Sequence, residues 1–252
     1  MNNLINDIII NMIHELLLLI IDKLSNRDKV TFLHTGKTNN SYKDKIYFND
    51  QVSCNNIQKS PYFDNFTNVV LSSNTDLPKN IKKISIESFS YVSPTIIPLT
   101  VTHLNTFSRV ISEKTFIYNL VPLTHFCIYF NNISYMQNTI THLYINYWVT
   151  NEYQMPNSVI YLYINYCQCA NIEKYIASSV KHLHISDSYI SKNTIPSHIT
   201  KVTISEFYVL PRGIGKRSCI DIGSYIPETV KTLYLPFTYN ETLPTHCKII
   251  KQ

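Results

Sequence analysis

A phrase recurs through the last three quarters of the chain: a Pro, an apolar residue three positions on, another three after that, and a third two further. It stands most plainly in Pro78-Lys79-Asn80-Ile81-Lys82-Lys83-Ile84-Ser85-Ile86, in Pro156 with Val159, Leu162 and Ile164, and in Pro227 with Val230, Leu233 and Leu235. A repeat of this kind restricts the fold to arrays whose units stack on one another. With the first apolar position as phase marker, units fall at Phe66, Ile81, Val101, Leu123, Ile140, Val159, Val180, Ile199, Val230 and Cys247. The steps between them are 15, 20, 22, 17, 19, 21, 19, 31 and 17 residues. Gln137 and Ala177 stand where other units have Pro, and Thr106 interrupts the third apolar position of its unit.

The second and third apolar positions lie two apart, as in Leu143/Ile145, Leu162/Ile164, Leu183/Ile185 and Val202/Ile204, which is strand spacing with both side chains on one face. One unit buries about three such side chains at roughly 1.5–3 kcal/mol apiece. That cannot offset the ordering of some twenty residues at about 1–2 kcal/mol each. Stacking is therefore obligatory. The expected fold is a repeat solenoid with a parallel sheet of about ten short strands and irregular loops.

Residues between the inner positions must face outward. One such row runs Lys83, His103, His125, His142, Tyr161, His182, Lys201 and Thr232; the next runs Ser85, Asn105, Cys127, Tyr144, Tyr163, His184, Thr203 and Tyr234. A third, after the strands, runs Glu87, Phe107, Tyr129, Asn146, Asn165, Ser186, Ser205 and Pro236. Rigid side chains with polar tips favour protein recognition. The expected partner-binding face therefore comprises His103, His142, Tyr144, Tyr161, Tyr163, His182, His184 and Tyr234. For any single His the alternative is a structural role, stacking and hydrogen bonding along the ladder.

Composition agrees with a folded protein: 44% of residues are hydrophobic, only 4 are Gly, and most of the 11 Pro fall at the repeat phase. The formal charge is +5, but no Lys/Arg run exceeds two residues, so no nucleic-acid footprint is expected. The cysteines at 54, 127, 167, 169, 219 and 247 show no framework spacing, and reduced thiols are the expectation. The apolar stretch Ile8 to Ile21 carries Asn11, His14 and Glu15 and falls short of the roughly twenty apolar residues of a membrane span. It also lacks the cationic start of a signal peptide. Neither membrane association nor a cofactor is expected, and the expected setting is the cytoplasm. The Asn-x-Ser/Thr patterns at Asn39, Asn65, Asn132 and Asn240 are the product of an Asn-rich chain.

The first forty residues have a different period. Ile9, Ile13, Leu16, Leu17, Ile20, Ile21 and Leu24 fall at helical steps and form one broad apolar stripe. Ser25 then opens a second short helix, its hydroxyl placed to accept from the backbone N–H of Asp28, with Gly36 at its expected end. Asp44 to Phe48 is a candidate third turn. Residues 1–48 thus form a helical module, 49–62 a linker and 63–252 the repeats.

The run Ile13-His14-Glu15-Leu16-Leu17-Leu18-Leu19-Ile20-Ile21-Asp22-Lys23-Leu24-Ser25-Asn26-Arg27-Asp28 resembles the start of an F-box, with Glu15, Leu16, Ile20, Leu24 and Asp28 on pattern positions. His14 replaces the usual Pro, and no Trp closes the segment. The phrase Ile97-Pro98-Leu99-Thr100-Val101-Thr102-His103-Leu104, echoed at Thr139-Ile140-Thr141-His142-Leu143 and Ser179-Val180-Lys181-His182-Leu183, resembles the FNIP repeat, a relative of leucine-rich repeats. The second half of that repeat survives only faintly, as in Phe130-Asn131-Asn132-Ile133. The pairing looks like proteins of social amoebae and of the giant viruses that infect amoebae, in which case the cytoplasm would be the host's.

Together the resemblances imply a non-enzymatic substrate-recognition adaptor of a cullin–RING ubiquitin ligase. Its helical start would dock the Skp-type subunit through Ile13, Glu15, Leu16, Leu17, Ile20, Leu24 and Asp28, and its repeats would hold an unknown target protein. The alternatives are a repeat scaffold that sequesters a partner without any ligase, and a metal-dependent enzyme built on the His rows. Against the last, His182 and His184 with Asp187, or Cys167 and Cys169 with a stacked His, do not have tetrahedral ligand spacing. Gly213-Ile214-Gly215-Lys216-Arg217-Ser218 lacks the spacing and context of a phosphate loop.

Overall fold

A computed structural model describes residues 2–36, 39–87, 97–106, 122–128, 136–148, 155–167, 172–186, 195–205, 225–237, 239 and 243–252. The 213–218 segment, residues 130–133, Phe107, Tyr129, Cys169 and Asp187 lie outside them. Eleven strands form one parallel sheet in strict chain order. They are β1 (Val52–Ser53), β2 (Asn68–Leu71), β3 (Lys83–Ile86), β4 (His103–Thr106), β5 (His125–Ile128) and β6 (His142–Ile145). The sheet continues through β7 (Tyr161–Ile164), β8 (His182–Ile185), β9 (Lys201–Ile204), β10 (Thr232–Leu235) and β11 (Lys248–Lys251). The molecule is a repeat solenoid.

Seven of the coils enter their strands in the same way. The carbonyl of the Pro accepts from the N–H of the phase residue three positions on: Pro78 to Ile81 (3.3 Å), Pro98 to Val101 (3.1 Å), Pro156 to Val159 (3.1 Å), Pro196 to Ile199 (3.1 Å) and Pro227 to Val230 (3.0 Å). Gln137 to Ile140 (3.3 Å) and Ala177 to Val180 (3.0 Å) close the same turn, so Pro is a stiffener of this geometry and not its cause. Next, two consecutive N–H groups donate to one carbonyl of the preceding coil, as Thr124 and His125 do to Thr102 at 3.0 Å each. Thr141 and His142 repeat the fork on Thr124 at 3.0 and 3.1 Å. Identical bonds at each step set an identical register, so Leu143, Leu162 and Leu183 align across β6, β7 and β8.

Inner positions are buried and outer ones half-buried along β4 to β10. Thr106 takes an inner position with no exposure, and its hydroxyl is satisfied by the Cys127 carbonyl at 3.1 Å. A fourth core column comes from the residue before the turn, with Ile97, Met155, Ile176, Ile195 and Ile226 all buried. The single Trp, Trp148, is fully buried and bridges to Cys167 beyond β6 and β7.

The ends depart from the sequence reading. Residues 49–62, expected as a linker, contain β1, which pairs with β2, and a helical turn at Cys54–Ile57, with Cys54, Ile57 and Tyr62 buried. Phe48 bridges to Phe66 and stacks on its ring at 4.7 Å, so the solenoid begins one coil earlier than the Pro phrase marks. At the other end Leu233 pairs with Ile249, which moves the phase residue from Cys247 to His246.

The helical start is α1 (Asn2–Asp22) and α2 (Asn26–His34), followed by a 3-10 segment at Asn39–Lys45. Ser25 caps α2, accepting from the Asp28 N–H at 3.2 Å. The helix ends at His34 with Thr35 as its C-cap, which puts Gly36 just past the end as expected: the Thr35 hydroxyl donates to the Phe32 carbonyl at 2.8 Å, and Asn39 reaches the same carbonyl at 3.0 Å. His14, standing where the F-box pattern has Pro, hydrogen-bonds to the Tyr42 hydroxyl. Buried Lys29 donates to the Tyr47 carbonyl at 2.8 Å, and Asn65 donates to that of Ile46 at 2.7 Å. Ile21, Leu33, Tyr42, Ile46 and Phe48 belong to the same core cluster as the repeats. The helices are thus docked on the first coil. Among the described residues no helix is long and apolar enough to cross a membrane.

Candidate functional site: the outer sheet face and the uncovered helix

The outer sheet face has two parts. In the first, His103, His125 and His142 stack with ring centroids 4.0 and 4.1 Å apart and planes within 12° and 11° of parallel. The residue before each strand supplies the clamp. Thr102, Thr124 and Thr141 place their hydroxyls 2.8, 3.0 and 3.0 Å from Nδ1 of the next residue. The same hydroxyls lie 3.3 to 3.4 Å from the carbonyl of the preceding coil. A hydroxyl has one proton, so both contacts are hydrogen bonds only when Nδ1 carries the imidazole hydrogen and donates it. That leaves Nε2 free to accept.

Burial, then the charges of His103, His142 and Lys83, lower the His125 pKa to about 4. Burial, Lys83 and His142 lower that of His103. The rings of His103 and His125 line a groove of about 390 Å³ with Lys83, Ser85, Asn105 and Tyr144.

The second part is aromatic. Tyr144 lies 5.8 Å from both Tyr161 and Tyr163, and Tyr163 meets His184 edge-on at 4.5 Å. His142 joins the two parts through Tyr161 at 5.6 Å, and Tyr161 meets His182 at 6.2 Å. Both nitrogens of His184 are engaged, Nδ1 with the Tyr161 hydroxyl at 3.3 Å and Nε2 with that of Ser205 at 2.9 Å. Burial lowers the pKa of His182 and His184, with Lys201 and then His142 adding to it at His182. The same desolvation raises the phenol pKa values of Tyr144 and Tyr161 and pushes the Cys127 thiol up to about 11. The centre of the face therefore holds neutral groups that donate and accept hydrogen bonds.

Seven of the eight face residues picked from sequence form one contiguous surface. Tyr234 does not join it: it lies beyond Thr203 of β9, with the Lys201 ammonium 4.7 Å from its ring centre. Lys83, Asn105 and His125 complete the groove; all three stand in the outward rows, and His125 was passed over although it shares its row with His103 and His142. Among the described residues no group of three His, Cys, Asp or Glu side chains is placed to hold a metal.

The predicted helix stripe divides. Ile13 (60% exposed), Leu16 (60%), Ile20 (55%) and Leu24 (36%) stay uncovered, while Leu17 packs half-buried against the core beside Leu18. Met12 and Leu19, 63% and 65% exposed, widen the bare side. Glu15 is exposed, and Asp28 accepts from the Ser25 hydroxyl at 2.7 Å.

A protein of Acanthamoeba polyphaga mimivirus named for its FNIP repeats is 27% identical to this chain over 244 residues. The match covers 89% of this chain and 52% of the relative, so the chain spans about half the length of the curated relative it matches. That likeness supports the FNIP repeat family. No protein-family model matches the chain. The FNIP likeness runs over most of the chain, in keeping with coils that share one fork and one register from Ile81 to Leu235.

Proposed function

We propose that this protein is a substrate-recognition adaptor of a cullin–RING ubiquitin ligase, with α1 docking the Skp-type subunit and the outer sheet face holding a target protein. The observation that carries it is the bare side of α1. The apolar stripe of a helix belongs against a partner surface, yet Ile13, Leu16, Ile20 and Leu24 remain exposed while Leu17 and Ile21 are turned to the repeat core. The uncovered residues include the F-box pattern positions Leu16, Ile20 and Leu24. The sheet face supports the second half of the reading, since stacked imidazoles and phenols lose little conformational freedom on contact. Such a ligase acts in the cytoplasm, and the role requires no chemistry of this chain.

The test is co-purification with the Skp-type adaptor from amoebal extract by wild type and by Leu16→Asp with Ile20→Asp. Both residues are exposed, so the double variant keeps the fold and its circular dichroism, and capture is lost. Undiminished capture by the double variant overturns docking through α1, and no capture by the wild type overturns the ligase half and favours a scaffold that sequesters its partner.

A further inference from the structure

Along β2 to β11, taken with the residue before each strand, there are seven lysines and no carboxylate. Glu87 follows β3. Two of the lysines, Lys83 and Lys201, sit in the outward row itself and bracket the imidazole and phenol column. The outward groups between them carry no fixed charge, and the stacked His103, His125 and His142 present Nε2 as an acceptor.

We propose that this face holds an extended acidic segment of the partner protein, laid across the strands from Lys83 to Lys201, with a carboxylate at each end and neutral polar groups over the ring column. The proposal rests on the sheet face being the target-binding surface and adds the chemical class of the target. Six strand steps separate β3 from β9, about 29 Å at roughly 4.8 Å per step. An extended chain advances about 3.3 Å per residue, so about nine residues bridge the two lysines. A single-stranded nucleic acid fits less well. It places a phosphate on every nucleotide and calls for cations along the whole track, whereas His103, His125, His182 and His184 are all less basic than a free imidazole.

The full chain is immobilised and offered three nonapeptide libraries, with Glu, Gln or Lys at the first and last positions, and separately a nine-nucleotide oligothymidylate. The expected result is retention of the Glu library over the Gln library by about fivefold, the size that two exposed ion pairs supply. Lys83→Gln with Lys201→Gln removes the preference, Lys83→Glu with Lys201→Glu turns it toward the Lys library, and Lys23→Glu, exposed just after α1 and outside the sheet, leaves it unchanged. Equal retention of the Glu and Gln libraries, or no retention of any, overturns the acidic assignment. Tighter binding of oligothymidylate than of every peptide library overturns it in favour of nucleic acid. Neither outcome touches the α1 experiment, so failure here and failure of the ligase reading are separable.

Discussion

At the scale of residues, the most informative group is the middle imidazole. His125 has a histidine above and below it and Lys83 two strands away, and its proton is disfavoured in the folded state. Its pKa of about 4 lies below the 6.5 of an unfolded histidine. The unfolded chain therefore binds the proton first, and acid favours unfolding. The stabilising contribution is complete above pH 6.5 and declines as the pH falls from 6.5 through 4. Urea denaturation at pH 7.5, 6 and 4.5 should show stability falling with acidification. His125→Phe, which keeps a stacked ring without the titration, should flatten the profile in part; His103, His182 and His184 shift in the same direction and supply the remainder. An unchanged slope in His125→Phe would count against the stacked column as the pH-sensitive element. The histidine row is visible in the sequence, but its chemistry is not, because desolvation and a 4.0 Å ring spacing exist only once coils stack.

At the scale of elements, the repeating unit is a turn plus a four-residue strand. Ala177 closes its turn onto Val180 at 3.0 Å with the geometry that Pro has in five other coils, and buried Ile176 stands where those coils have Leu77, Ile97, Met155, Ile195 and Ile226. Fixing φ in advance removes freedom from the unfolded chain without disturbing a compatible turn. Ala177→Pro should raise stability by about 0.4–1 kcal/mol, read from the urea midpoint at constant m-value. Destabilisation would show that this coil enters its strand by a different backbone path. The strand spacing and both outward rows were legible because a period of two leaves no freedom in which side a residue faces. β1 was not legible: its coil lacks the Pro phrase, and Phe48 and Val52 do not repeat the apolar spacing. The position of buried Lys29 gave no signal either, since a lysine on a short helix is ordinarily solvated and this one is held by the Tyr47 carbonyl.

At the scale of the whole molecule, each coil is stabilised by its neighbours, so position along the stack decides the cost of a cavity. Leu143 is fully buried between β5 and β7, whereas Ile249 on the last strand is half-buried with one neighbour. Leu143→Ala should cost about 2–5 kcal/mol and Ile249→Ala clearly less, measured by denaturation of the two variants side by side. Equal costs would contradict nearest-neighbour stacking. The helices cover the first coil and share its core through Ile21, Leu33 and Phe48.

The spacing of Pro and apolar residues was enough by itself to determine a stacked parallel sheet, its inner columns and the composition of its outer rows, because each follows from local periodicity. The tertiary structure decided what depends on distance between coils: the clamped histidine stack, the separation of Tyr234 from the aromatic cluster, and the extra first coil. It also divided one apolar stripe of α1 into an inner side and a bare outer side. A helical period identifies which residues can be buried, and only packing against the first coil settles which of them are.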